Sequence, residues 1–79
     1  MSTYNQYDEA NKIAMLLEMD GFSDQADQIT NAMKDGKTGT EIFMILRFRL
    51  RSLLDIYGLP EETREQIRIL YSKLDEALQ

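Results

Sequence analysis

The sequence contains no cysteine, no histidine and no tryptophan. Without cysteine, neither a disulfide nor a thiolate metal site can reinforce the small core. Histidine is the side chain that titrates near neutral pH, and together with cysteine it supplies most transition-metal ligands in proteins. We therefore expect no metal, no cofactor and no catalytic centre built on these residues.

Basic charge and long apolar runs are also scarce. The chain has 9 lysines and arginines against 14 acidic residues, a net charge of −5. Nucleic-acid binding requires clustered basic side chains, whereas this balance permits a basic protein partner. No apolar run approaches the about 20 residues that span a bilayer, and Met1–Glu9 does not resemble a signal peptide. We expect a cytoplasmic protein that binds neither nucleic acid nor a membrane.

The sequence consists mainly of segments with helical periodicity, which short connections separate. With 79 residues, 43% hydrophobic and 29% charged, the composition predicts one folded domain covering 1–79. Gly21, Gly36 and Gly58 each follow a helical pattern, where a glycine can adopt the left-handed conformation. We predict an all-α, compact four-helix bundle-like domain with antiparallel neighbours, short connections and a central third helix. The predicted helices cover about 4–20, 24–35, 39–57 and 60–78.

Start signals accompany three of these helices. Ser23 suits the N-cap of the second helix, and Pro60 suits the first position of the fourth. Thr38 and Glu41 fit a capping box, in which the threonine side chain accepts from the Glu41 amide and the carboxylate reaches back. These signals predict where the helices begin.

An acidic cluster lies around the first turn of the chain, at Asp20, Asp24 and Asp27. Two carboxylates can act as acid and base when their environments separate their pKa values, but the sequence shows no apolar pocket for them. We interpret Asp24 as a residue favoured at a helix N-terminus and the other two as solvated charges. We expect no enzyme, and these acids remain candidates for contact with a partner.

The third helix carries an arginine inside its apolar arc. Arg49 falls on the same side as Ile45 and Leu53. A buried charge must be paired or must reach a polar opening. One interpretation is an ion pair with a neighbouring helix; the other is an arginine that meets a partner. The acidic candidates for the pair are Glu18, Asp20 and Asp27.

The opposite side of the third helix has the composition of a protein interface. Met44 and Phe48 lie one turn apart and project with Arg47, Arg51 and Asp55, and interface centres are rich in aromatic residues, methionine and arginine. Alternatively, the first helix covers this side, and a homodimer would satisfy both interpretations. Side chains of the first segment that could cover it are Tyr4, Met15 and Met19.

The segment Gly36–Arg47, in which a Thr-Gly-Thr-Glu-Ile turn leads into an apolar helix and an arginine, resembles a group of short bacterial helical proteins. The Gly-Leu-Pro-Glu-Glu turn at Gly58–Glu62 is also similar to theirs. Some small acidic proteins of this kind are immunity proteins that neutralise a bacterial toxin by direct binding. The resemblance implies a protein-binding module that covers a basic toxin domain with its acidic face or with the Met44–Phe48 side. The alternative is a small structural or regulatory homo-oligomer that uses the same side of the third helix.

Overall fold

Four α-helices form the part of the chain that the structure describes. The computed structural model describes residues 4–79, and no strand occurs within them. The all-α, four-helix prediction is confirmed. The helices are α1 (Gln6–Met19), α2 (Ser23–Asp35), α3 (Gly39–Leu53) and α4 (Glu61–Leu78).

The helices pack in a closed ring. α1 and α3 each pack against both α2 and α4, so the predicted central third helix lies between α2 and α4. The radius of gyration is 11.7 Å, close to the about 12 Å expected for a compact chain of this length.

One hydrophobic core lies inside the ring, and each helix contributes a stripe with helical spacing to it. Thr63 is the single buried polar side chain in the described range, and its hydroxyl donates to Asp20 Oδ2 at 2.8 Å. That bond ties the end of α1 to the start of α4. The largest fully buried apolar side chains are Ile13, Leu17, Ile29, Leu46, Leu50, Leu53, Ile67, Leu70 and Leu74.

The capping box at the start of α3 is present. The Glu41 amide donates to Thr38 Oγ1 at 3.1 Å, and the Glu41 carboxylate accepts from the Lys37 amide at 3.2 Å. The carboxylate thus reaches one residue further back than the motif predicts. Two amides at the helix N-terminus are satisfied in this way.

Two predicted starts are wrong by one position. Phe22, not Ser23, occupies the N-cap of α2, and the Ser23 hydroxyl donates to the Glu18 carboxylate at 3.4 Å instead. Pro60 occupies the N-cap of α4 rather than its first helical position, with an extended backbone at ψ 145°. The two helices therefore begin without a side-chain cap, and their first turns carry acidic residues that complement the helix dipole.

The third helix ends four residues before the predicted end at Tyr57. Short-range bonds from the Asp55 amide to the Ser52 carbonyl and from Ile56 to Leu53 tighten the chain after Leu53. The Arg64 guanidinium then binds the carbonyls of Leu54 and Ile56, at 2.7 and 2.8 Å. Because these carbonyls point to α4, the helix does not continue, and Tyr57 is 99% exposed outside it.

Two of the three predicted left-handed glycines have that conformation. Gly21 has φ +89° and Gly58 has φ +95°, whereas Gly36 is extended at φ −72°. Gly36 is needed for a different reason: an ideal Cβ there would lie 2.5 Å from Ile42 Cγ1. Its missing side chain lets the α2–α3 connection approach the first turn of α3.

Candidate functional site

The outer side of α3 exposes large apolar side chains, although its inner side is fully buried. Leu46, Leu50 and Leu53 face the core, whereas Met44 is 53% exposed and Phe48 is 65% exposed. With about 100° between successive helical residues, the two sets point in opposite directions. We call the outer set the α3 surface. It comprises Met44, Arg47, Phe48, Arg51 and Asp55.

A shallow groove of about 440 Å³ runs between the α3 surface and α4. Tyr71 of α4, which the sequence did not single out, lines this groove. The structure therefore brings four of the predicted contact residues together and adds an aromatic side chain. The lining residues are Met44, Arg47, Phe48, Arg51 and Tyr71.

Acidic residues of the same chain pair with the two arginines of the groove. Arg47 Nη1 lies 2.9 Å from Asp75 Oδ1 on α4, and Arg51 Nη1 lies 3.2 Å from Asp55 Oδ1 in the turn after α3. All four side chains are at least one-third exposed, so these pairs contribute little to folding and remain able to reach a partner. These ion pairs hold the Arg47 and Arg51 side chains beside Met44 and Phe48.

Arg49 does not form the expected ion pair. Among residues 4–79, neither Glu18, Asp20 nor Asp27 lies within ion-pair distance of it. Its guanidinium carbon lies 5.8 Å from the centre of the Phe48 ring, a cation–π contact. The half-buried arginine avoids the core because its head turns outward along the neighbouring aromatic side chain.

The alternative in which α1 covers Met44 and Phe48 is wrong. α1 packs between α2 and α4, and its own outer residues Met15 and Met19 are 65% and 79% exposed. They border a second groove, of about 410 Å³, between α1 and α4. This groove was not predicted, although the sequence signal for it is the recurrence of Lys12, Met15, Leu16 and Met19 on one side of α1.

The start of the described chain lies against the end of α4. The Lys73 ammonium lies 5.5 Å from the centre of the Tyr4 ring. Burial raises the pKa of the Tyr4 phenol, and the nearby Glu9 carboxylate acts in the same direction. Tyr4 therefore covers α4 rather than α3, and Tyr7 is the α1 residue that approaches α3, with its ring centre 5.7 Å from that of Phe43.

The three aspartates of the acidic cluster lie apart from the α3 surface. Asp20 accepts the Thr63 hydroxyl at the corner between α1 and α2, and Asp24 and Asp27 are exposed on α2. None of them lines the groove beside Phe48. The sequence-predicted contact residues thus form two separate surfaces, one apolar with paired charges and one acidic.

Within the described part of the chain, no three acidic side chains converge to hold a metal ion. In the same range, no helix combines the length and the apolar character needed to cross a membrane. The chain matches no protein-family model, and neither the curated proteins nor the solved structures contain a significant match to it. The α3 surface presents an exposed apolar pair, Met44 and Phe48, with paired charges beside it. Such a composition is typical of protein interfaces.

Proposed function

We propose that this chain is a protein-binding module whose contact site is the α3 surface. The exposure of Met44 and Phe48, side by side on one helix, carries the proposal. Removing such a pair from water contributes about 25 cal/mol per Å² of apolar area, and the surrounding charges orient the partner. Binding, rather than catalysis, is the activity that this arrangement supports.

The groove between α3 and α4 could accept a side chain of the partner. A side chain of the partner that enters between α3 and α4 would touch Phe48 and Tyr71 at its walls and the arginines at its rim. Aromatic residues and arginines are the side chains that most often dominate binding energy. We expect Phe48 to be the largest single contributor.

As a second contact, separate from the α3 surface, we propose neutralisation of a basic bacterial toxin domain by the acidic side of the molecule. The net charge of −5 and the exposed carboxylates of Asp24 and Asp27 support this contact. An acidic surface raises the association rate of a basic partner. It would leave the α3 surface open.

Affinity capture from the cells that make the protein tests the proposal. The tagged chain is compared with Phe48→Glu and with Met15→Glu, a matched control because Met15 is also 65% exposed but lies on α1. We expect Phe48→Glu to lose the captured protein, or its association with untagged copies of the same chain, by at least about tenfold. Met15→Glu should retain it.

Each alternative gives a different pattern in the same experiment. Loss only in Met15→Glu would move the contact to the groove between α1 and α4. Loss of a basic partner in Asp24→Asn/Asp27→Asn, with Phe48→Glu unaffected, would support the toxin-neutralising form on the acidic side. Associations that survive every variant would refute the proposed site, provided that circular dichroism shows native helix content.

A further inference from the structure

A regular outer stripe extends the α3 surface towards both ends of the helix. Its members are separated alternately by four and three residues along the chain, and all of them are exposed. The first and the last member lie just beyond the ends of α3. For the four members inside the helix, this alternation is the spacing of a coiled-coil seam. The core leucines occupy the opposite side of the helix, so the seam has no partner within the described chain. The stripe consists of Lys37, Glu41, Met44, Phe48, Arg51 and Asp55.

The side chains of the stripe are arranged antisymmetrically about the level of Leu46. From one end to the other their character is basic, acidic, apolar, apolar, basic and acidic. Reversing the order exchanges every charge for its opposite and leaves the apolar centre in place. Two copies in antiparallel orientation would therefore match along α3, with Glu41 opposite Arg51 and Met44 opposite Phe48. Beyond the ends of the helix, Lys37 of one copy and Asp55 of the other carry opposite charges at the same end of the pair.

We propose that a second copy of this chain occupies the α3 surface, with the two α3 helices antiparallel and a two-fold axis at the level of Leu46. The inference rests on the proposed function, since it names the partner of that surface. A two-fold axis makes each contact occur twice. Met44 and Phe48 of both copies form the apolar centre, and the charges form a polar rim at each end.

The contacts inside one chain are compatible with this pairing. Arg51 already holds Asp55 at 3.2 Å, and it would lie between that carboxylate and Glu41 of the second copy. Glu41 uses one carboxylate oxygen for the Lys37 amide, so its other oxygen is available. At the flank, Arg47 is bound to Asp75, so the two copies of Arg47 approach each other as neutralised pairs.

Charge also selects the orientation. In a parallel pair each residue would face its own copy, so Glu41 would meet Glu41 and Arg51 would meet Arg51, and like charges in contact oppose association. The outer stripe of α1 lacks the same complementarity. Antiparallel pairing there would set Glu9 against Met19, and would set a lysine against Leu16.

The groove beside α4 enlarges the contact. Stable complexes bury about 800 Å² on each partner, roughly a sixth of the 5165 Å² of accessible surface on this chain. Side chains at the edge of the second copy would reach Tyr71 through the groove. The edge of α4 therefore adds area that α3 alone does not supply.

Exchanging the charges of one pair tests the register. Sedimentation equilibrium over rising concentration, to about 1 mM, should give the wild-type chain a mass approaching twice its 9.2 kDa. Glu41→Arg alone sets arginine against Arg51, and Arg51→Glu alone sets glutamate against Glu41. Each variant should keep the mass of one chain. An equimolar mixture of the two restores both pairs and should recover the double mass.

Lys12→Glu is the matched control for Arg51→Glu. Both side chains are exposed cations in an ion pair with an acid close in the sequence, Lys12 with Glu9 at 3.3 Å and Arg51 with Asp55 at 3.2 Å. Lys12→Glu should leave the double mass unchanged. Circular dichroism checks that Glu41→Arg, which also loses the bond to the Lys37 amide, still folds; recovery in the mixture requires both variants to be folded.

Three outcomes overturn the inference. A wild-type chain with single-chain mass up to about 1 mM shows no self-association. Single variants that dimerise like the wild type place the contact elsewhere, and a mixture that stays monomeric rejects the Glu41–Arg51 pairing. If the wild-type chain is monomeric but capture yields a different protein that Phe48→Glu loses, the inference fails while the proposed function stands.

Discussion

The inner and outer faces of α3 both carry large apolar side chains, but the surroundings of these side chains are opposite. Leu46, Leu50 and Leu53 are at most 1% exposed, whereas Phe48, which is larger than any of them, is 65% exposed. The difference lies in the neighbours, because α2 and α4 close around one face and no described residue covers the other. Hydrophobicity alone therefore does not decide which side of a helix stabilises the fold.

The arginines around α3 show the same division. Arg64 reaches from α4 and donates to backbone carbonyls at the end of α3, in a partly buried position. Arg51 pairs with the exposed carboxylate of Asp55, just after the end of its own helix. One arginine is part of the fold, and the other lies in an exposed ion pair at the surface.

The largest expected change in the free energy of unfolding distinguishes the inner face of α3 from its outer face. Leu50→Ala should lower the free energy of unfolding by about 2–5 kcal/mol, since it leaves a cavity in the core. Phe48→Ala should change it by less than about 0.5 kcal/mol, because an exposed side chain loses little burial. Urea unfolding measures both, at protein concentrations low enough to keep any association from adding stability. Comparable losses would mean that Phe48 belongs to the core.

Replacing Arg64 or Arg51 should change the free energy of unfolding by a smaller amount. Arg64→Met removes the donors to the carbonyls of Leu54 and Ile56 but keeps an apolar stem, and should lower the free energy of unfolding by about 1–3 kcal/mol. Arg51→Met should lower it by less than about 0.5 kcal/mol, because an exposed ion pair contributes little. The same urea titration measures this difference. A larger loss in Arg51→Met would contradict the division between the two arginines.

Local patterns in the sequence were sufficient to predict the helices and the direction of their faces. The capping box of Thr38 and Glu41 uses residues three apart, and the stripe of α4 recurs at helical spacing, so both can be read without a fold. The outward direction of Met44 and Phe48 follows from the same geometry. Each of these features depends only on neighbours along one helix.

Features that depend on another helix were missed or misplaced. The end of α3 at Leu53 reflects contacts from Arg64, which lies ten residues beyond Leu54. The partner of Arg47 and the position of Tyr71 in the groove depend on how α4 is rotated about its own axis. Periodicity along one segment contains none of this information.

The smallest expected effect concerns an exposed residue that nevertheless stabilises the fold. Thr38 accepts the Glu41 amide at 3.1 Å, and Thr38→Ala should lower the free energy of unfolding by about 1 kcal/mol. Thr40, two residues on, is also exposed and has no side-chain hydrogen bond within the described range, so Thr40→Ala should change the free energy of unfolding by less than about 0.5 kcal/mol. Thr38 is not in the outer stripe, so its replacement should leave the association mass unaltered. Lower stability with unaltered mass would separate the residues that build α3 from those that it presents to a second copy. A loss of association in Thr38→Ala, at a concentration where the chain remains folded, would show that the position of Glu41 set by the cap is itself part of the contact.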